Sequence, residues 1–151
     1  MQQSIMEEKD KIFLEWSTIE DLVDELCDNI IKYQKQNNLK FRNLFGLQRG
    51  GLIPAVIISH QLNIPMTKGT ISQNTLIVDD ICDSGVTLNE FYSKYQAEYV
   101  FPFDLKTACI HYKPHTSVFE PTIYAEKWER DDWIVYPWEA TNSNTIQDYL
   151  V

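Results

Sequence analysis

The stretch that decides the fold is Leu76–Leu88, which reads LIVDDICDSGVTL. It begins as an apolar run typical of a buried strand and continues directly into the carboxylates of Asp79, Asp80 and Asp83. Carboxylates this close repel one another unless a cation or a set of hydroxyl groups lies between them. The residues after them, 84–87, are small or hydroxylic and begin a helix, and such a helix N-terminus binds phosphate well. The stretch therefore predicts a site for a sugar phosphate.

A purely structural interpretation of the same stretch is also open. It would be an acidic turn between a strand and a helix, with Ser84 or Thr87 as a simple N-cap residue. That interpretation suits a DDxxD pattern on its own, whereas the complete run of acids, hydroxyls and glycine favours a binding site. Four of the five glycines flank two strand ends, and ligands of open α/β sheets bind beyond such ends. The two candidate loops are Gln48–Gly51 and Asp80–Thr87.

Strand and helix signals alternate along the rest of the chain. A capping box at Ser17–Glu20 predicts the start of a helix whose apolar residues recur at helical spacing. The other predicted helices are Leu52–Leu62 and Asn89–Tyr99, and the predicted strands are Asn43–Leu47, Pro65–Ile71, Thr75–Asp79, Leu105–Tyr112, Ile123–Lys127 and Trp133–Tyr136. This alternation predicts an α/β fold, with a mostly parallel twisted sheet flanked by helices.

Length, charge and cysteine content limit the class of protein. The 151 residues predict one domain, 1–151, with residues 1–11 frayed. Thirteen basic against 22 acidic residues give a net charge of −9, which repels a phosphate backbone, so we expect no nucleic-acid partner. We expect no membrane partner, because no apolar run could span a bilayer and no secretory signal is recognisable. Three cysteines without a CxxC pair predict a reduced, cytoplasmic protein.

Three segments together resemble a known family. Leu76–Leu88 resembles the phosphoribosyl pyrophosphate signature of the type I phosphoribosyltransferases, and Gly46–Ala55, GLQRGGLIPA, resembles their pyrophosphate loop. Lys113-Pro114 and Asp131–Glu139, DDWIVYPWE, are similar to the xanthine–guanine branch of the purine enzymes. The resemblance implies a phosphoribosyltransferase-like α/β core with a small hood, here residues 113–139.

The resemblance also implies how the sugar would be bound. Asp79 and Asp80 would hold the ribose 2′- and 3′-hydroxyls and a magnesium ion, partly through water. Arg49 and Gly50 would bind the pyrophosphate, in a loop where the family often has a non-proline cis peptide. The residues that would wrap the 5′-phosphate are Asp83, Ser84, Gly85, Val86 and Thr87.

The implied reaction transfers the 5-phosphoribosyl group of phosphoribosyl pyrophosphate to a 6-oxopurine (xanthine, guanine or hypoxanthine) in purine salvage and releases pyrophosphate. Asp83 would be the acid/base at purine N7, or else only scaffolding of the phosphate loop. Lys113 would donate to the 6-oxo oxygen, or else be a solvated strand end. Trp133 would stack on the base, or else be a core residue, and the backbone of Ile134 would read the 2-position. Glu139 would accept from a 2-amino group, or else be exposed.

One part of the family pattern is missing. Only Ser72–Asn74 separates the two strands predicted on either side, which leaves room for a turn but not for the family's long lid. A non-catalytic sensor of phosphoribosyl pyrophosphate or nucleotide is therefore the alternative to the enzyme. The net charge of −9 further predicts strict magnesium dependence, because it repels an anionic sugar diphosphate. Members of the family commonly form dimers or tetramers, so the resemblance implies a homodimer or homotetramer.

Overall fold

The computed structural model describes residues 10–98 and 104–139. The elements found there are β1 (Lys11–Phe13), α1 (Trp16–Gln36), β2 (Asn43–Gly46), α2 (Leu52–Leu62), β3 (Thr75–Cys82), α3 (Val86–Glu98), β4 (Lys106–Tyr112), β5 (Ile123–Lys127) and β6 (Trp133–Val135). Strands β2, β3, β4 and β5 form one parallel sheet in that order, and β1 pairs with β6 in a separate parallel sheet. The predicted α/β class with a mostly parallel sheet is confirmed.

The main sheet is covered by helices on both faces. On one face α1 and α2 pack against Val78 of β3 and Ile110 of β4. On the other face Leu88 of α3 packs against Ile77 and Cys109. A parallel sheet buried on both faces needs strands that are apolar at consecutive positions, which is why β3 begins as a continuous apolar run. This arrangement leaves only the strand ends for polar chemistry.

Helix α1 begins two residues earlier than the capping box predicts, at Trp16 rather than at Thr18. Its N-cap residue is Glu15, whose side chain makes no capping hydrogen bond, and Ser17 lies inside the first turn. The backbone N–H of Leu14 donates to the carbonyl of Val135 at 3.0 Å, so the pairing of β1 with β6 holds the chain up to the start of the helix. A contact between distant parts of the chain, rather than local capping, therefore decides where α1 starts.

Lys11, expected in the frayed end, instead begins β1. It is in register with Trp133 of β6, and the N–H of Trp133 donates to the carbonyl of Asp10 at 2.7 Å. Residues 1–9 lie outside the described residues. Within 113–139, the range expected as the hood, β5 joins the main sheet, and β6 joins β1 outside it.

The strand predicted over Pro65–Ile71 is wrong. Across 63–74, a segment that the structure describes in full, no strand forms, and Met66 makes only an isolated bridge to Leu44 of β2. Proline has no N–H to give to a ladder, and the hydroxyl of Thr67 accepts from the N–H of Thr70 at 3.2 Å, which turns the chain. The whole connection between α2 and β3, residues 63–74, is therefore a loop, rather than the predicted strand followed by a three-residue turn.

Helix α2 has the predicted bounds, yet only one of its faces is buried. Pro54, Ala55 and Ile58 face the core, whereas Leu52 and Val56 are 36% and 44% exposed.

Within 10–98 and 104–139, no helix combines the length and the apolar character needed to cross a membrane.

The two faces of α2 should respond differently to truncation. Ile58→Ala is expected to lower the free energy of unfolding by about 2–5 kcal/mol, because Ile58 is fully buried and its truncation leaves a cavity. Val56→Ala, the matched control on the exposed face, should change it by about 0.5 kcal/mol or less. Urea unfolding of both variants measures this, and equal losses in the two would contradict the orientation of α2.

Candidate functional site

The acidic pair lies on β3 where the strand reaches the edge of the sheet. Asp79 is buried and Asp80 is half-buried. The N–H of Asp80 donates to Asp79 Oδ1 at 2.9 Å, and the N–H of Ile81 donates to Asp80 Oδ1 at 2.8 Å. Each carboxylate is therefore held against the backbone that follows it. The strand continues to Cys82, past the predicted end at Asp79.

The Gln48–Gly51 loop packs against this pair. It leaves β2 beside β3, since the N–H of Leu47 donates to the carbonyl of Val78 at 2.9 Å. A Cβ atom on Gly50 would lie 2.6 Å from Cγ of Asp80, so the loop backbone approaches the carboxylate as closely as only glycine allows. A non-proline cis peptide joins Gln48 to Arg49, which confirms the expected cis bond in this loop.

Residues 83–85 turn the chain from β3 into α3. Gly85 has φ +76°, and a Cβ atom there would lie 2.7 Å from the backbone nitrogen of Phe119, so a side chain is excluded on both grounds. The hydroxyl of Ser84 accepts from the N–H of Val86 at 3.2 Å. Because α3 begins at Val86, Ser84 lies one position before the N-cap residue, so this contact is not the simple N-cap considered for it. The residues expected around a 5′-phosphate are thus consecutive at the start of α3: Asp83, Ser84, Gly85, Val86 and Thr87.

Lys113 lies directly after β4, and its side chain is only 3% exposed. Its Nζ donates to the carbonyl of Asp132 at 2.9 Å and lies 3.7 Å from Asp83 Oδ2. The alternative of a solvated strand end is therefore wrong. The structure brings together two residues that are thirty positions apart in sequence: the carboxylate after β3 and the ammonium after β4.

Trp133 and Ile134 lie on β6, next to the residue that accepts from Lys113. Trp133 is half-buried and Ile134 is buried. The N–H of Trp133 and the carbonyl of Val135 both bond to the β1 side. Because alternate residues of a strand direct their peptide groups to opposite sides, the N–H and carbonyl of Ile134 are directed away from β1. These two residues are grouped with Lys113 through Asp132 rather than with the acidic pair.

Two buried residues beneath the acidic pair were not assigned to the site from sequence. The hydroxyl of Tyr136 donates to the carbonyl of Asp80 at 3.3 Å and lies 2.8 Å from His111 Nδ1. His111 Nε2 makes no hydrogen bond among the described residues and lies 3.6 Å from Glu126 Oε2. A histidine in the apolar strand TACIHY and a tyrosine inside WIVYPWE are the only sequence signals of this contact.

The acidic pair is a centre of negative charge. Burial raises the pKa of Tyr136 well above its ordinary value, and Asp80 and Asp79 raise it further. Burial, followed by the charge of Asp80, also raises the pKa of Glu139. Glu139 therefore lies within the field of Asp80. Such a site favours a cation or a ligand rich in hydroxyl groups.

The acidic pair fits one kind of magnesium site, in which water and substrate supply most of the ligands. Within the part of the chain that the structure describes, no group of three or more His, Cys, Asp and Glu side chains could enclose a metal ion. Magnesium, however, is commonly bound through one or two carboxylates, with water and substrate phosphate completing its shell. Asp79 and Asp80 can supply those carboxylates. The donor set fits a magnesium ion shared with a diphosphate and does not fit an all-protein metal site.

Comparison with known proteins gives relatives of one kind. The chain is 30% identical to the xanthine-guanine phosphoribosyltransferase of Cereibacter sphaeroides (strain ATCC 17025 / ATH 2.4.3), over 70% of this chain and 74% of that enzyme. The purine phosphoribosyltransferase from Pyrococcus horikoshii Ot3 shares the fold with a TM-score of 0.70, at 28% identity, over 91% of this chain and 99% of that one. The Helicobacter pylori xanthine-guanine-hypoxanthine phosphoribosyltransferase shares the fold with a TM-score of 0.68, at 19% identity, over 85% and 93%. No protein-family model matches the chain.

The extent of these similarities defines the class: the chain belongs to the type I phosphoribosyltransferase family. Within that family it belongs to the purine branch, to which the Cereibacter relative and the Pyrococcus structure also belong. The resemblance stated from Leu76–Leu88 and Gly46–Ala55 is therefore confirmed, as is the phosphoribosyltransferase-like core. The roles of individual residues remain predictions.

His111 should make stability depend on pH. Burial, and then the charge of Lys113, lowers its pKa from 6.5 to about 4, so below pH 6.5 the unfolded chain binds a proton that the folded chain does not. Stability should fall as the pH drops from about 6.5 towards 4, with a loss near 1 kcal/mol, to order of magnitude, between pH 7 and pH 5.5.

Urea unfolding at pH 7 and pH 5.5 measures this loss. His111→Asn should reduce the pH-dependent loss by that amount, while His60→Asn, at an exposed position of α2, should retain the wild-type dependence. An unchanged pH dependence in His111→Asn would show that His111 is not the group responsible.

Proposed function

We propose that this protein transfers the 5-phosphoribosyl group of phosphoribosyl pyrophosphate to a 6-oxopurine (xanthine, guanine or hypoxanthine) and releases pyrophosphate. The observation that carries the proposal is the approach of Lys113 Nζ to Asp83 Oδ2 at 3.7 Å. The reaction needs a carboxylate for the purine proton and a cationic donor for the purine oxygen at one point. These two residues supply both at the ends of adjacent strands.

The sugar half of the site is proposed at the end of β3. Asp79 and Asp80 would accept hydrogen bonds from the 2′- and 3′-hydroxyls, and residues 84–87 would bind the 5′-phosphate through backbone N–H groups at the start of α3. Gly85 supports this assignment, because its φ of +76° and the close backbone of Phe119 leave room for no side chain. The N–H of Val86 is shared with the Ser84 hydroxyl at 3.2 Å, so a bound phosphate would compete with that contact.

The leaving group is proposed to lie over the Gln48–Gly51 loop. Gly50 lies against the carboxylate of Asp80, which puts the loop backbone beside the proposed diol carboxylates. Arg49 is exposed in this loop and would neutralise the pyrophosphate. Magnesium, when bound by Asp79 and Asp80 partly through water, would supply the remaining positive charge for the diphosphate.

The purine half is proposed around Lys113. An ammonium group has three N–H donors, of which the carbonyl of Asp132 takes one at 2.9 Å. Lys113 can therefore donate a hydrogen bond to a 6-oxo oxygen. The 6-amino group of adenine is itself a donor and offers Lys113 no acceptor. The peptide groups of Ile134, directed away from β1, would read the 2-position, and Trp133 would stack on the ring. Glu139 would accept from the 2-amino group of guanine, and the negative charge of Asp80 raises its pKa after the larger effect of burial.

The chemical step is a displacement at the anomeric carbon. The bond between purine N9 and C1′ forms as the bond from C1′ to the pyrophosphate oxygen breaks, and the N7 proton passes to the carboxylate of Asp83. The sugar carries positive charge in the transition state, which the nearby carboxylates of Asp79 and Asp80 would stabilise. Lys113 and residues 84–87 would hold the two reactants in line.

The alternative of a non-catalytic sensor has less support. It arose from the absence of room for a lid between two strands, yet the strand expected before the turn does not form, so all of 63–74 is loop. A sensor would also have no need of an acid/base residue beside the purine lysine.

We further propose that the reaction belongs to purine salvage in the cytoplasm and that the single domain 1–151 acts as a homodimer or homotetramer. The free, buried state of Cys27, Cys82 and Cys109 agrees with a reducing compartment.

The proposal is tested with five bases: xanthine, guanine, hypoxanthine, adenine and uracil. Each is mixed with the protein, phosphoribosyl pyrophosphate and magnesium, and nucleotide and pyrophosphate are measured. We expect product with at least one 6-oxopurine, none with uracil, and loss of product when magnesium is chelated. Binding of the sugar diphosphate without turnover would favour the sensor, and measurable affinity for it in a chelator would contradict the magnesium dependence.

Asp83→Asn tests the acid/base role. The amide cannot take the N7 proton, so turnover should fall by about 10²–10⁴. The affinity for phosphoribosyl pyrophosphate, measured by calorimetry, should change little, because the backbone N–H groups are retained. Asp104→Asn, an exposed aspartate outside the site, is the control and should retain full turnover. Full activity of Asp83→Asn would remove Asp83 from the catalytic step.

A further inference from the structure

The turn after β4 packs onto the turn after β3. The N–H of Val118 donates to the carbonyl of Ser84 at 2.8 Å, and the N–H of Lys113 donates to the carbonyl of Cys82 at 2.9 Å. The hydroxyl of Thr116 is within hydrogen-bond distance of two acceptors on Asp83, the backbone carbonyl at 3.0 Å and Oδ1 at 2.8 Å. The segment that carries the buried lysine therefore also contacts the carboxylate.

The two oxygens of the Asp83 carboxylate have different neighbours. Oδ1 is 2.8 Å from the Thr116 hydroxyl, and Oδ2 is 3.7 Å from Lys113 Nζ. A side chain that is 43% exposed has rotamers open to it in solvent, so a contact at each oxygen restricts its orientation. With Oδ1 engaged by the hydroxyl, Oδ2 is the oxygen that faces the lysine.

The turn itself does not depend on the Thr116 hydroxyl. Its backbone is closed by the N–H of Ser117, which donates to the carbonyl of Lys113 at 3.1 Å, and by the bond from Val118 to Ser84. The side chain of Thr116 is exposed, so its methyl group contributes little to the core. The hydroxyl can therefore be removed without removing the bonds that hold the turn.

We propose that Thr116 is a positioning residue for Asp83: it holds Oδ1 and so presents Oδ2 to the purine bound at Lys113. The inference rests on the proposed function. The proton taken from purine N7 then goes to Oδ2, while Oδ1 keeps its hydrogen bond throughout. Thr116 touches neither reactant, and its effect passes through the orientation of the carboxylate alone.

The variants are Thr116→Val, which keeps the shape and loses the hydroxyl, and Thr116→Ser, which keeps the hydroxyl. We expect kcat to fall about tenfold in Thr116→Val, with the KM for both substrates changed less than about twofold, and near wild-type kcat in Thr116→Ser. Thr18→Val, an exposed threonine on α1, is the control. Should Thr116→Val fail to fold, Thr116→Ala removes the same hydroxyl and is expected to give the same loss.

A double-mutant cycle with Asp83→Asn separates positioning from a general structural effect. If Thr116 acts through Asp83, Thr116→Val should cost less than about twofold in the Asp83→Asn background. A full tenfold cost there, an equal loss in Thr116→Ser, or unchanged kcat in Thr116→Val would each overturn this inference while leaving the proposed function in place. Absence of nucleotide formation by the wild-type protein would overturn the proposed function, and this inference with it.

Discussion

The parallel register of β3 on β4 is the constraint on which the rest of the site depends. It sets Asp79 opposite Cys109 and Cys82 opposite Tyr112, so both strands end at the same edge of the sheet. Asp83 and Lys113 are the next residues on each strand, and the bond from Lys113 N–H to the carbonyl of Cys82 extends the ladder past the strand ends. A shift of one residue would separate the carboxylate from the ammonium.

Burial requires the charged groups of this site to have partners. A lysine as enclosed as Lys113 must be paired, and its partners are a carbonyl from the β6 side and the carboxylate of Asp83. The carboxylates of Asp79 and Asp80 each accept a backbone N–H, and a bound cation or diol would stabilise their negative charge further. Tyr136 adds a hydrogen bond to the Asp80 carbonyl from below. Charged side chains are thus concentrated at one edge of the sheet.

Much of this could be predicted from sequence, because the signals concerned are local. The acidic run after an apolar strand, the glycines at the strand ends and the bounds of α2 and β5 all depend on neighbouring residues. The start of α1 could not be predicted, since pairing of β1 with β6 fixes it, and the false strand over Pro65–Ile71 had strand composition without a complete partner. The contacts of Tyr136 with Asp80 and of Thr116 with Asp83 join residues more than thirty positions apart, and no local pattern marks either of them.

We infer that the end of β3 and the start of α3 seat a phosphoribosyl group, with the purine beside Lys113. A crystal structure with guanosine 5′-monophosphate bound tests it most directly. We expect the 5′-phosphate on the backbone N–H groups of residues 84–87, the ribose hydroxyls on Asp79 and Asp80, and the 6-oxo oxygen within hydrogen-bond distance of Lys113 Nζ. A phosphate bound elsewhere, or a base remote from Lys113, would contradict it.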